Sequence, residues 1–369
     1  MRIALVHYTS LPVIAGVELV MAEHARLFAD AGHDVEMVAN FEATSDDALT
    51  ERLRAIFVRQ DVVILHNVAT MHFHPQLTAA VWKLADELAQ VRFICWIHDL
   101  AACNPDYAPL PLETEPWNLL ARAHPRFTYV AVSELRRRQF LELTAQPPSR
   151  CRTIPNGVDP THLFDLPLRI VELAKQHALW ERDFVLLHPT RLLRRKNVEL
   201  TLRVTAALQA TGKSCAALIT APPEIHHSAS AEYGSGLRDL REQLGLENDA
   251  LFLHDAGALA DHELHALFRL ADALFFPSRQ EGFGIPLVEA ALSRLPIFCS
   301  DIEPLNTLLE SGVTTFSLDA TPDEIAALIV RVLEADSTFA ARKQTLQSYS
   351  WNAIYRIFLS PLLAETETL

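Results

Sequence analysis

The stretch ALFFPSRQEGFGIPLVEA (273–290) reads as strand, turn and helix. Ala273–Phe276 is a short apolar run suited to a buried strand, and Pro277-Ser278-Arg279-Gln280 breaks it. Pro286 suits the first helical turn, where a missing N–H costs nothing. Gly282 and Gly284 permit close backbone approach. The amides of Phe283, Gly284 and Ile285 then face outward from a helix N-terminus, the positive end of the helix dipole. Glu289 is expected in the first turn of that helix, and helical side chains lean toward the N-terminus. Glu281 and Glu289 are therefore expected to converge on one ligand, and carboxylates accept paired hydroxyls such as those of a sugar.

The same alternation extends outward in both directions. Apolar runs at Phe184–Leu187, Ala216–Ile219, Leu251–Leu253 and Pro296–Cys299 flank the stretch. Ile3–Val6, Val35–Ala39, Asp61–Leu65, Phe93–Ile97 and Tyr129–Val132 repeat the pattern in the first half. Amphipathic segments lie between them, the first a helix over Val17–Ala31 ending before Gly32. Pro222–Ser235 reads as a long loop, and Tyr349–Leu363 as a helix. Buried runs alternating with helices predict α/β architecture with two parallel, doubly wound sheets. The 369 residues correspond to roughly two domains at about 150 residues each. The break falls at Ile154-Pro155-Asn156-Gly157. The expected division is 1–160, 161–348, and a terminal segment 349–369 that returns to the first domain.

Lys and Arg number 32 against 46 Asp and Glu, a net charge of −14. Such a surface disfavours nucleic acid as a partner, and it makes peripheral membrane contact through Arg136-Arg137-Arg138 the less favoured reading. The five cysteines are widely spaced with no CxxC pair, which suits a reducing cytoplasm. MRIALVHY reads as a first strand rather than a secretion signal. His262-Glu263-Leu264-His265 is not HExxH, and the His72/His74 and His226/His227 pairs lack further ligands at suitable spacing, so no metal is expected. There is no GxSxG, GxxxxGK[ST] or GxGxxG motif.

Residues just beyond strand ends carry the remaining signal, because ligands of open parallel sheets bind there. HPTRLLRRKNVEL (188–200) gathers Arg191, Arg194, Arg195 and Lys196 at a helix start. Cations are disfavoured there unless an anion compensates them. A diphosphate is the obvious anion, and a solvated basic turn is the alternative. His98-Asp99 follows a strand and reads either as a substrate contact or as an ordinary loop histidine. Gly16 reads either as a ligand approach to the first helix or as a plain helix-start glycine.

Taken together, AGVE (15–18), AGHDV (31–35), HD (98–99), AVSE (131–134), IPNGVD (154–159), R-x4-KN (191–197) and EGFGIPLVEA (281–290) resemble glycosyltransferase family 4. The last motif is the specific one, and the resemblance runs along nearly the whole chain. It implies the GT-B fold: two facing Rossmann-like, doubly wound domains with a cleft between them, the acceptor taken by the first and the donor by the second. It implies a retaining transfer of mannose or glucose from a nucleoside-diphosphate sugar, with no cofactor required. Arg191 and Lys196 match the pair on the donor diphosphate. Glu281 matches the glutamate on donor-sugar hydroxyls, with Gly282, Phe283, Gly284 and Ile285 around it. Glu289 matches the ribose-binding glutamate, His98 the histidine beside the reacting sugar, and Gly16 the second glycine of the first-loop pair. Asp99 and Asn156 fall on the acceptor side, where a sugar, a small molecule or a glycolipid is the expected partner. Ala15 and Thr190 stand where the family often has glycine, and the stretch between Val38 and Asp61 is short. An epimerase or hydrolase of the same fold, or a non-catalytic sugar-nucleotide-binding subunit, would carry the same donor cluster.

Overall fold

The computed structural model describes residues 1–10, 16–41, 45–107, 109–220 and 228–365. Ala15 lies outside them. The chain divides into two compact units, Met1–Val158 with Tyr349–Leu369, and Asp159–Ser348.

The first unit is built on a six-stranded sheet: β1 (Arg2–Val6), β2 (Asp34–Val38), β3 (Val62–His66), β4 (Arg92–Ile97), β5 (Phe127–Ala131) and β6 (Cys151–Thr153). The strands run parallel in the order β2-β1-β3-β4-β5-β6. Strands buried on both faces read as continuous apolar runs, and the side chains alternate between two separate cores. Ala4, Val6, Phe93 and Cys95 join the cluster under helices Asp46–Phe57 and Pro75–Glu87. Ile3, Leu5, Ile94 and Trp96 join the cluster under helix Gly16–Asp30 and the C-terminal segment.

That segment supplies Trp351, Ile354, Leu359, Leu362 and Leu363 to the second face. Ser350 caps its start by accepting the Ala353 N–H at 3.2 Å. At its end, the Arg92 guanidinium donates to the carbonyls of Leu362, Leu363 and Glu365, which have no partner further along the helix. The helical stretch expected over 349–363 runs over 351–364, with a wide turn at Tyr355–Leu359.

The second unit holds another parallel sheet of six: β7 (Phe184–His188), β8 (Cys215–Ile219), β9 (Ala250–Phe252), β10 (Ala273–Phe276), β11 (Ile297–Ser300) and β12 (Val313–Phe316). Their order is β12-β11-β10-β7-β8-β9. At the amino end of β10, the buried Asp272 carboxylate accepts the Val185 N–H at 2.8 Å and the Lys343 ammonium at 2.7 Å. A buried carboxylate persists only when paired in this way.

Three features depart from the sequence reading. β6 carries a single buried residue, Cys151, and β12 is a half-exposed Thr-containing edge strand, so neither shows an apolar run. Residues 228–235, expected in a loop, begin helix Ser228–Gln243; 222–227 lie outside the described residues. Tyr233 and Leu237 bury against β8 and β9, and that packing outweighs two helix-weakening glycines.

The loop after β6 meets the C-terminal segment closely. Val158 N–H donates to the Tyr349 carbonyl at 2.8 Å, and Trp351 N–H donates to the Val158 carbonyl at 3.0 Å. A Cβ on Gly157 would lie 2.5 Å from Trp351 Cδ2 and 3.0 Å from its Cα. Gly157→Ala must therefore displace Trp351, at a cost of about 1–3 kcal/mol. The expected result is a lower melting temperature with a shifted tryptophan emission; an unchanged melting temperature would contradict this packing.

Candidate functional site

In an open parallel sheet, the crevice for a ligand lies beyond the carboxyl ends of the strands where their order reverses. In the second unit the reversal falls between β7 and β10. The basic stretch follows β7 and EGFG follows β10.

These two loops are tied to each other. Arg279 N–H donates to the Arg195 carbonyl at 2.7 Å, and Arg195 donates to the Gln280 carbonyl at 3.1 Å. Asn197 is buried and left-handed, with φ 54°, where it starts helix Val198–Ala210. Its amide donates to the Pro277 carbonyl at 3.1 Å, and its oxygen accepts from Arg279 at 3.2 Å. Lys196 Nζ donates to Glu281 Oε1 and lies 5.0 Å from the Phe276 ring centre. The buried Ser278 hydroxyl donates to the same Glu281 oxygen at 2.6 Å, and Arg195 stands 3.6 Å from the other.

The four cations of the turn thus have different surroundings. Arg194 stacks on Tyr233 at 5.1 Å, while Arg195 and Lys196 meet Glu281. Arg191 is exposed, and its guanidinium has no partner among the described residues. Thr190 is locked in place, its N–H donating to Thr220 Oγ1 at 2.8 Å.

A cavity of about 420 Å³ opens here, lined by Arg191, Lys196, Thr220, Ile285, Pro286 and Glu289 among others. Gly284 caps helix Ile285–Leu292 with φ 102°, a conformation that favours glycine, and a Cβ there would lie 2.7 Å from Leu305 Cδ2. The amides of Phe283 and Gly284 donate to no described residue, and Gly282 and Phe283 are exposed. Cations, free amides at the positive end of a helix and one carboxylate with no partner among the described residues can together hold a polyphosphate and a hydroxylated ring. The expected convergence of the two glutamates is uneven. Glu289 lines the cavity from the second turn of helix Ile285–Leu292 rather than the first, because the helix begins at Ile285, whereas the Glu281 side chain is 8% exposed and already bonded to Lys196 and Ser278.

In the first unit the order reverses between β1 and β3. Gly16 begins the first helix with open space around it. His98 and Asp99 follow β4, and both of their N–H groups donate to the Asn67 side-chain oxygen, at 2.8 and 3.1 Å. Asp99 serves its own loop: it accepts from Leu100 N–H at 2.7 Å, Asn104 at 3.3 Å and Arg136 at 3.0 Å. Arg137 is likewise engaged, donating to the Cys151 and Pro148 carbonyls. Two of the three consecutive arginines are therefore occupied within the unit. Asn156 is exposed, three residues beyond β6.

His66 and Asn67, at the end of β3, escaped the sequence reading because a polar pair after an apolar run looks like any loop start. His7 Nδ1–H donates to the His66 carbonyl at 2.7 Å. His66 Nδ1 and His98 Nε2 are 3.0 Å apart. Burial pushes His98 down to about 3, with His24 and His7 adding to the effect. Burial also holds His66 well below the usual imidazole range and His24 at about 3. No helix among the described residues is long and apolar enough to cross a membrane.

Comparison with known proteins matches the second half of the chain, residues 170–348, to the family model "Glycosyl transferases group 1". Residues 14–162 match "Glycosyltransferase Family 4". An uncharacterized glycosyltransferase of Methanocaldococcus jannaschii is 24% identical over 77% of this chain and 72% of its own length. An O-antigen chain mannosyltransferase of Salmonella typhimurium is 36% identical over 25% of this chain and 24% of its own. The mannosylglucosylglycerate synthase of Thermotoga maritima is 23% identical over 82% and 83%.

The buried histidines carry a pH prediction. His24 has neither ring nitrogen partnered among the described residues. Its folded value is near 3, against about 6.5 when unfolded. Between these values the unfolded chain binds more protons, so stability falls as pH drops below about 6.5. The slope for one such group is ~1.4 kcal/mol per pH unit. His24→Phe should lose less melting temperature than the parent protein between pH 7 and pH 5; an equal loss would contradict the assignment.

Proposed function

We propose that this chain, which belongs to glycosyltransferase family 4, moves a hexose, with retention, from a nucleoside-diphosphate sugar to an acceptor hydroxyl. The observation that carries the reading is the cavity at the β7/β10 reversal, where Arg191, Lys196 and Glu289 meet a helix start with free amides. Arg191 and Lys196 hold the diphosphate, with Phe283 and Gly284 amides completing its shell. Glu289 accepts the ribose hydroxyls, and Glu281 accepts a hydroxyl of the transferred sugar. His98 serves the reacting sugar. One of the relatives above is named a mannosyltransferase and another the synthase of a mannosylated product, which favours mannose over glucose as the transferred hexose.

As the sugar–phosphate bond lengthens, the anomeric carbon gains oxocarbenium character and the departing diphosphate gains charge. The cations and amides are fixed where that charge grows, and such stabilisation is often the largest catalytic contribution. The acceptor hydroxyl attacks from the face the phosphate leaves, and its proton passes to the departing phosphate oxygen. No side-chain nucleophile is then needed, and the cationic pair performs the neutralisation a metal provides elsewhere. The five unpaired thiols fit work in the cytoplasm.

The test is turnover of GDP-mannose and UDP-glucose against a panel of sugar, polyol and glycolipid acceptors, with the product's anomeric configuration read by proton NMR. Nucleoside diphosphate release should require an acceptor and leave the anomeric configuration unchanged. Lys196→Ala and Glu281→Gln should each lower kcat by ~10²-fold or more. Release without any acceptor would favour a hydrolase, and turnover unchanged in both variants would overturn the site.

A further inference from the structure

His98 is held from two sides by one dipeptide at the end of β3. Asn67, itself left-handed with φ 61°, fixes its backbone, and His66 meets its ring. The two imidazoles are nearly coplanar, 28° apart, with centres separated by 5.3 Å. Together with the 3.0 Å Nδ1···Nε2 distance, this places them edge to edge, joined through a shared proton, rather than face to face.

The position of that proton follows from what surrounds each ring. Both rings are neutral near pH 7, so two protons occupy four nitrogens. One proton lies in the bridge. The other is on either His66 Nε2 or His98 Nδ1. His66 is fully buried against Trp96 and His24, and its Nε2 has no hydrogen-bond partner among the described residues. A proton there would create an orphaned buried N–H, which folded proteins avoid more strictly than an under-used acceptor. His98 as a residue is half-buried, and its Nδ1, unlike His66 Nε2, is not enclosed without a partner, so a proton there can be given to water or substrate.

We infer that His66 is a positioning residue: it donates Nδ1–H to His98 Nε2 and thereby fixes His98 as the Nδ1–H tautomer, a hydrogen-bond donor rather than a base. This rests on the transferase reading only for the identity of what receives the bond, an oxygen of the sugar nucleotide. An Nε2 engaged as acceptor and an Nδ1 carrying the proton leave His98 no lone pair with which to deprotonate an acceptor hydroxyl. That agrees with a reaction in which the departing phosphate takes the proton.

Long-range proton–nitrogen correlation NMR on protein labelled with ¹⁵N-histidine reads the tautomer without reference to activity. The His98 signals are identified by their loss in His98→Gln. The expected result is Nδ1 protonated and Nε2 bare in His98. His66→Asn, whose amide can occupy the place of Nδ1, should keep that pattern. His66→Leu, checked for native circular dichroism, should release His98 toward the Nε2–H form favoured in water. On activity, His66→Leu should lower kcat and kcat/KM together by about tenfold or more, as expected for a donor that acts in the transition state, with rescue in His66→Asn. His98 carrying its proton on Nε2 in the parent protein, or keeping it on Nδ1 in His66→Leu, would overturn the inference. The tautomer result with no turnover on any sugar nucleotide would leave the positioning intact and count against the transferase reading alone.

Discussion

The Lys196–Glu281 ion pair is the contact on which the second unit's site depends. A carboxylate 8% exposed is costly unless it is paired and hydrogen-bonded. A cation beside a helix start is likewise unfavourable unless an anion compensates it. Each group answers the other's requirement, and Ser278 completes the carboxylate's shell. Because Lys196 follows β7 and Glu281 follows β10, the pair also spans the point where strand order reverses. The backbone bond from Arg279 to Arg195 and the two bonds of Asn197 fasten the same seam. With this seam closed, Arg191 and Glu289 line the cavity without a side-chain partner among the described residues, beside the paired Arg195 and Lys196.

The first unit gathers imidazoles at the corresponding place. Its strand ends carry His7, His66 and His98, burial lowers all three, and the buried Glu18 carboxylate stands 3.7 Å from His7 Nε2. Neutral imidazoles can be enclosed at lower cost than ions, and each bond one ring makes sets which nitrogen of the next carries the proton. Asp99, the one carboxylate in this loop, is used up by Leu100, Asn104 and Arg136. The unit therefore offers a fixed hydrogen-bonding surface at its strand ends.

Much of the fold was legible because both faces of each sheet are covered, so Phe93–Ile97 and Phe184–Leu187 had to be apolar throughout. β6 and β12 were not legible, since an edge strand with one buried residue leaves no such trace. Helix Ser228–Gln243 was hidden by its small residues, because Tyr233, Leu237 and the half-buried Leu240 anchor it among the described residues. At the site, Arg191, Lys196 and Glu289 could be read because charged residues beside a helix start require a reason. The burial of Glu281 could not be read, because it depends on Ser278 and Arg195 arriving from either side. Asn197 and Asn67 act through left-handed backbone and side-chain bonds to the main chain, which a sequence records only as an asparagine before a helix or after a strand.

The cations and amides at the β7/β10 reversal are proposed to hold a diphosphate. Calorimetric titration of the protein with a nucleoside diphosphate and with the matching monophosphate tests this most directly. One additional charge-assisted bond of about 1.5–3 kcal/mol predicts roughly 10- to 100-fold tighter binding of the diphosphate. That advantage should vanish in Arg191→Ala/Lys196→Ala. Equal affinity for the two nucleotides, or an advantage that survives in the double variant, would contradict the account.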